Sequence, residues 1–284
     1  MTSKGKARSS RPVPTTPERW RRSLNLAHWE AVSPSHFSDK FYQTDRVLKG
    51  ALSLSRIEQH ELGNLLSLTG VHLQCGIGLD TVSLQRMGAV MIGVDFATSA
   101  IATAQMIARR CSTSCSFVVS DVLDRRTLPP GSFDFVYASH GVLRWIPNLR
   151  KWARNAASLL KHGGFLYLFE THPLVYQLGN VNGCSVYLSG DYFDERPREK
   201  VVDGTHTGPL TVGDQRTVVH SNWTLGSIVS AIADAGLCLD FLHEHKGCCY
   251  SRKGLITRRR DVLWYLDGVK TAIPLSFSIK AVRK

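Results

Sequence analysis

The chain has 284 residues, 43% hydrophobic and 20% charged, which suits a large buried core and excludes a wholly disordered protein. No run reaches the roughly 18 consecutive apolar residues that span a bilayer, and the basic N-terminus lacks the apolar segment of a secretory signal, so the expectation is a cytoplasmic protein with no membrane partner. The net charge is +12, and no RNA-binding signature or aromatic-basic interleaving accompanies it, which weighs against nucleic acid as a partner.

In chain order, residues 1–17 read as a flexible basic tail. Over residues 1–22, Lys4, Lys6, Arg8, Arg11, Arg19, Arg21 and Arg22 stand against Glu18 alone, and the first part also carries Pro12, Pro14, Pro17 and several Ser and Thr. Residues 18–66 read as an N-terminal helical cap carrying Trp20, Trp29, Phe37, Phe41 and Tyr42, a surface that could also seat a second copy of the chain. From residue 67 short apolar runs alternate with amphipathic ones. Val71–Cys75, Ala89–Asp95, Ser116–Asp121, Phe133–Ser139, Phe165–Glu170 and Leu237–His243 are near-continuous apolar runs, as in strands buried on both faces of a parallel sheet. Ile273–Val282 is a further strand. Between them, residues 79–88, 98–109 (after a Thr98 cap), 148–161 and 224–235 have helical spacing. This alternation predicts an α/β fold: a Rossmann-like, doubly wound, mostly parallel sheet with helices on both faces. Residues 67–171 form its core and 223–284 its C-terminal part. The intervening 172–222 are too long for a simple connection and read as an inserted lid over the binding site; residues 246–272 are a smaller insertion. The run Arg258-Arg259-Arg260 reads as a solvated turn. The seven cysteines, Cys75, Cys111, Cys115, Cys184, Cys238, Cys248 and Cys249, are odd in number, widely spread and without zinc spacing. They read as reduced thiols, with no metal site.

The chemistry concentrates where strands end. His72-Leu73-Gln74-Cys75-Gly76-Ile77-Gly78 leaves the first strand and opens a helix, so its glycines admit a ligand to the backbone at a helix N-terminus. Asp95 tips the second strand 17 residues after Gly78, placed for both hydroxyls of a ribose. Asp121 and Val122 tip the third strand, a carboxylate and a backbone N–H suited to an adenine edge. Thr81 stands where a dinucleotide fold wants its third glycine, which tilts the reading toward a nucleoside without phosphates.

These residues, with "VHLQCGIGLDTVSLQRMGAVMIGVDFATSAIATA", "FVVSDVLD", "GSFDFVYASHGVLRWIPNLRKWA" and "LLKHGGFLYLFETHP", make the chain from about Val71 onward resemble the class I S-adenosylmethionine (SAM)-dependent methyltransferases of the small-molecule, natural-product type. The resemblance implies seven strands, the last inserted antiparallel, and SAM as cofactor with S-adenosylhomocysteine as product. It implies that Gly76 and Gly78 approach the methionine part, Asp95 takes the ribose hydroxyls, Phe96 packs by the adenine, Asp121 and Val122 read its edge, and Ser139 lies by the transferred methyl. The family's usual acidic residue and glycine are here His72 and Gln74, so Gln74 or carbonyls near Cys75 must hold the cofactor's ammonium.

Methyl transfer needs alignment, and a base only where the acceptor loses a proton. His140 and His172, following the fourth and fifth strands, are the candidate bases. Tyr42, Tyr176 and Tyr187 are candidate acceptor-pocket residues, and Glu170 another contact. The aromatic content of cap and lid implies a small-molecule acceptor with apolar or aromatic surface, methylated at N, O or C. An RNA or protein methyltransferase using the basic surface, a non-catalytic SAM-binding protein, and an NAD-dependent oxidoreductase (disfavoured by Thr81) are the alternatives.

Overall fold

The computed structural model describes residues 11–12, 18–125, 128–179, 187–205, 208–209, 215–250, 256–266 and 272–284. Its centre is a seven-stranded sheet: β1 (Thr69–Leu73), β2 (Val90–Asp95), β3 (Ser116–Val119), β4 (Phe133–Ser139), β5 (Leu160–Thr171), β6 (Leu237–His245) and β7 (Ser276–Arg283). The spatial order is β6-β7-β5-β4-β1-β2-β3. Neighbours from β5 to β3 are parallel, and β7 runs antiparallel to both β5 and β6. The predicted antiparallel last strand is therefore present. The helices are α1 (Glu18–His36), α2 (Thr44–Leu48), α3 (Arg56–Leu62), α4 (Leu79–Arg86), α5 (Thr98–Arg110), α6 (Leu149–Leu159) and α7 (Leu225–Asp234).

The central strands are apolar on both faces over most of their length because both faces are covered. Val71, Leu73, Val136, Ala138, Leu166 and Leu168 face α6 and α7 through Trp152, Ala156, Ile228 and Ile232. Phe135, Tyr137, Tyr167 and Phe169 alternate with them onto the other face, against Leu54, Leu62 and Leu65. The two edge strands depart from that expectation: Val119 of β3 is 47% exposed and Leu239 of β6 is 46% exposed. An edge strand has one side without a covering neighbour.

Three further differences bear on the site. First, residues 18–66 are not all cap: α1 and α2 lie over the strand ends, whereas α3 and its flanks pack beneath the sheet. Second, Thr98 is not the cap of α5. The helix begins at Thr98 and has no cap from its own N-terminal residue. Instead Glu30 of α1 accepts the N–H groups of Thr98 (2.7 Å) and Ser99 (2.9 Å). Third, the tail's described part, Arg11–Pro12, pairs with Arg198 and Glu199; the rest of residues 1–17 lies outside the described residues. The lid contains an antiparallel hairpin, Arg198–Val202 with Arg216–His220. Parts of the lid, Cys184 among them, lie outside the described residues. In the smaller insertion Gly247–Cys248 and Ile256–Arg260 flank Leu263–Leu266. The Arg258–Arg260 run thus lies in a strand, with the turn just after it at Asp261.

Candidate active site

At the carboxyl ends of β1 to β4, where the strand order reverses, lies a cavity of about 820 Å³. This is where an open α/β sheet offers a ligand site. The strand ends are joined directly. Asp95 Oδ2 accepts the Gly76 N–H at 2.9 Å and Oδ1 the Ala97 N–H at 2.9 Å, while the Asp95 carbonyl accepts from Ser120 N at 2.8 Å. Asp95 is 8% exposed. Burial pushes its carboxyl up to about 6, against the pull of the N–H groups of Ala97, Gly76 and Phe96. Gly76 and Gly78 have φ of 53° and 77°, values that disfavour a side chain. A Cβ on Gly78 would lie 2.8 Å from Ala104 and Phe117, whereas one on Gly76 would meet nothing, so Gly76 leaves its backbone open to the cavity.

The residues of the glycine turn fit the methionine end of SAM. Gln74 lines the cavity. Its Nε2 donates to the Val142 carbonyl at 3.1 Å, and its Oε1 is buried without a partner, an acceptor left for an ammonium donor. The Cys75 carbonyl is engaged by Gly78 N, and the thiol lies against Gly93. His72, which stands where the family has an acidic residue, bonds to Thr81 at 2.9 Å. Burial drives the His72 imidazole down to about 4, so it is neutral. The carboxylate missing there is supplied nearby by Asp80, which lines the cavity and accepts from Ser53 Oγ (2.5 Å) and Ser139 Oγ (2.9 Å). At the tip of β2 and past β3, Phe96, Asp121 and Val122 line the cavity. Asp121 Oδ1 accepts from Leu123 N, and Oδ2 pairs with Arg22 Nε of α1 at 2.6 Å. The Val122 carbonyl accepts from Asn155.

His140, in a left-handed conformation (φ 57°) just past β4, faces the cavity. Its Nε2 lies 3.3 Å from Oε1 of Glu58, which is fully buried. Glu58 also accepts from Tyr137 Oη (2.5 Å) and Ser55 N (2.8 Å). The carboxylate beside it holds the imidazole well above its ordinary 6.5 despite burial, and the pair keeps Glu58 below its usual range against its own desolvation. A carboxylate only accepts, so the proton sits on Nε2 and the buried Nδ1, which has no oxygen or nitrogen partner, carries the lone pair when the ring is neutral. The Cys249 thiol lies beside the ring. Glu170 is structural: its oxygens accept from Gly141 N (2.5 Å), Leu143 N (2.9 Å) and Thr171 N (2.6 Å), clamping the loop after β4.

Two expected residues lie elsewhere. His172 does not line the cavity. Its N–H is taken by the Leu275 carbonyl beside β7, its Nδ1 accepts from Leu174 N, and its Nε2 lies 3.1 Å from Glu244 on β6. The antiparallel strand next to β5 turns it away. Tyr187 is 55% exposed and packs over Gly179 outside the cavity. Tyr42 and Tyr176 do line it, Tyr42 bonded to His36 Nδ1 at 3.0 Å and Tyr176 under the Arg144 guanidinium, 4.2 Å from ring centre.

The roof is α1. Asn25 pairs with both backbone groups of Val219 in the lid hairpin (2.8 and 2.9 Å), and His28 and Trp29 pack on Trp145. Glu58, Glu30, Arg22 and Arg144 escaped the sequence reading. Ser55-x-x-Glu58 is a visible capping box, and it forms; its second role toward His140 depends on a contact across 82 positions.

Residues 71–168 match the family described as "Methyltransferase domain". A "Ubiquinone biosynthesis O-methyltransferase" of Xanthomonas euvesicatoria pv. vesicatoria is 27% identical over 150 residues, 52% of this chain and 62% of that protein. One from Xanthomonas axonopodis pv. citri is 33% identical over 150 residues with the same coverage. The chain thus spans 62% of the length of these relatives. Among solved structures, a SAM-dependent methyltransferase from Mesorhizobium loti superposes with TM-score 0.60 at 20% identity, over 83% of this chain and all of that one. Magnesium protoporphyrin IX methyltransferase from Synechocystis PCC 6803, solved with bound SAM, gives 0.53 at 14%, over 96% of this chain and all of that one. These likenesses establish the fold.

Proposed function

We infer, from the match of residues 71–168 to a methyltransferase domain and from the cavity at the strand ends, that the chain moves a methyl group from SAM to a small-molecule acceptor. The observation that carries the reading is the joining of three strand ends around one cavity: an unpartnered Gln74 Oε1, a buried Asp95 bonded to Gly76, and Asp121 beside it. Gln74 and Asp80 would hold the ammonium end, Asp95 the ribose, and Phe96, Asp121 and Val122 the adenine. SAM supplies a methyl group on a sulfonium, electrophilic without further activation.

The chain's own residues orient the acceptor, exclude water and remove a proton. Of the two candidate bases only His140 faces the cavity. With Nε2 tied to Glu58, the His140 imidazole would take up the proton that an acceptor hydroxyl loses when the methyl leaves sulfur for oxygen, and Glu58 would stabilise the resulting imidazolium. Trp29, Tyr42, Trp145, Tyr176 and Tyr250 line the cavity, which supports an acceptor with aromatic surface. All but Trp145 come from segments outside the matched domain, or from its far edge, so they suit a specialised molecule of natural-product type. The six described cysteines are all unpaired, in keeping with a reducing cytoplasm. Among the described residues no helix is long and apolar enough to cross a membrane, and no His, Cys, Asp and Glu cluster suits a metal.

The test is a calorimetric titration with SAM, followed by mass spectrometry of reactions with a panel of aromatic acceptors. SAM binding that weakens in Asp95→Ala, with S-adenosylhomocysteine released alongside a methylated acceptor, is the expected result. Absence of SAM binding overturns the reading.

A further inference from the structure

The acceptor side of the cavity holds a cation that makes no ion pair among the described residues. Arg144, in the short helical turn Leu143–Trp145, lines the cavity. Its guanidinium lies 4.2 Å above the Tyr176 ring and 5.9 Å from the Trp145 ring. Among the described residues it makes no ion pair and no side-chain hydrogen bond, and its Nε is buried without a partner. Lys200 of the lid hairpin lines the same cavity. His220, buried and 6.4 Å from Trp145, reports the local field: burial and the nearby charges of Arg144, Lys200 and Arg198 drive its imidazole down to about 2. Of the acids in this region two are already committed, and Asp203 also lines the cavity. Glu170 is held by three backbone N–H groups, and Asp194 pairs with Arg196 and Arg198.

A planar guanidinium stacked on an aromatic ring, with its donors unfilled, is built for a planar anion that it can grip with two parallel bonds. His140, Cys249 and Tyr176, on which Arg144 stacks, all line the one cavity. Resting on the methyl-transfer reading, we propose that the acceptor is an aromatic carboxylic acid: its carboxylate pairs with Arg144, its ring lies by Tyr176 and Trp145, and its nucleophilic oxygen is directed at His140.

The test measures binding directly, so it does not require the true acceptor. 4-Hydroxybenzoate and its neutral methyl ester are titrated against the full chain, with SAM titrated in parallel. The acid is expected to bind at least about tenfold tighter than the ester, as a charge-assisted pair requires. Arg144→Gln should abolish that preference while leaving SAM affinity within about twofold, and Arg144→Lys should restore part of it. Equal or absent binding of acid and ester in the native chain overturns the proposal, as does a preference that survives Arg144→Gln. Tighter binding of phenyl phosphate than of the acid overturns the carboxylate assignment. A chain that binds no SAM yet prefers the acid sinks the transfer reading, and with it the acid's role as acceptor, and leaves only an anion site at Arg144.

Discussion

At Asp95 two influences oppose each other. Burial favours the neutral acid and the backbone N–H groups favour the anion, and burial wins enough to place the carboxyl near 6. Ribose hydroxyls donate best to the anion, so SAM affinity should rise with pH through 6. A titration at pH 5 should be weaker than one at pH 7.5 by about tenfold, the ratio set by the ionised fraction; a flat profile would remove Asp95 from the contact. For stability the sign runs the other way. The folded carboxyl holds its proton more tightly than the unfolded one, so its contribution is full below 3.8 and lost as pH rises through 6.

The His140–Glu58 pair makes its own prediction. Because the imidazole is held above 6.5, the rate of hydroxyl methylation should climb with pH on an acid limb lying above that value. Glu58→Gln should move the limb down and lower kcat by roughly 10²-fold or more, as for other displaced bases, with SAM affinity unchanged. A limb that stays in place assigns proton removal elsewhere. On stability, the imidazole contributes fully below 6.5 and Glu58 fully above 4.5. The pair therefore supports the fold most between those values and fades as pH rises through the histidine's folded value.

Among the elements, α1 matters most for function and was least legible. Its aromatics marked it as a cap, but Glu30 reaching the start of α5 leaves no local signature. Glu30→Ala should cost about 1 kcal/mol through the lost cap, read as a fall of about 2 °C in Tm by calorimetry. It should also raise KM for the acceptor, since the roof is anchored there. By contrast, β1, β2 and β4 were legible because apolar runs and a glycine turn are local. The strand-tip residues Gly76, Asp95 and Asp121 followed from them, for topology alone brings carboxyl ends together. His172 was misplaced for the converse reason. It follows β5 much as His140 follows β4, but β7 lies antiparallel beside β5 and sets the direction of the chain there. Tyr187 carried an aromatic's usual promise without any periodicity to say which way it points.

For the whole molecule, cofactor and fold are linked by mass action. SAM at one hundred times its dissociation constant should stabilise the chain by about 2.7 kcal/mol, or roughly 4–5 °C in Tm for a chain of this length. No thermal shift would count against a preformed pocket. The same scale explains where the acceptor's identity hides. Its walls come from α1, the lid hairpin and the segment around Cys249 and Tyr250, which meet only after the sheet has assembled.

Glu170 joins these scales. By gripping the backbone on both sides of Val142, it denies the stretch between His140 and Arg144 any independent play. The span from proton taker to positive anchor is therefore a rigid gauge, and molecules a bond too short or too long are screened by length before their reactivity counts.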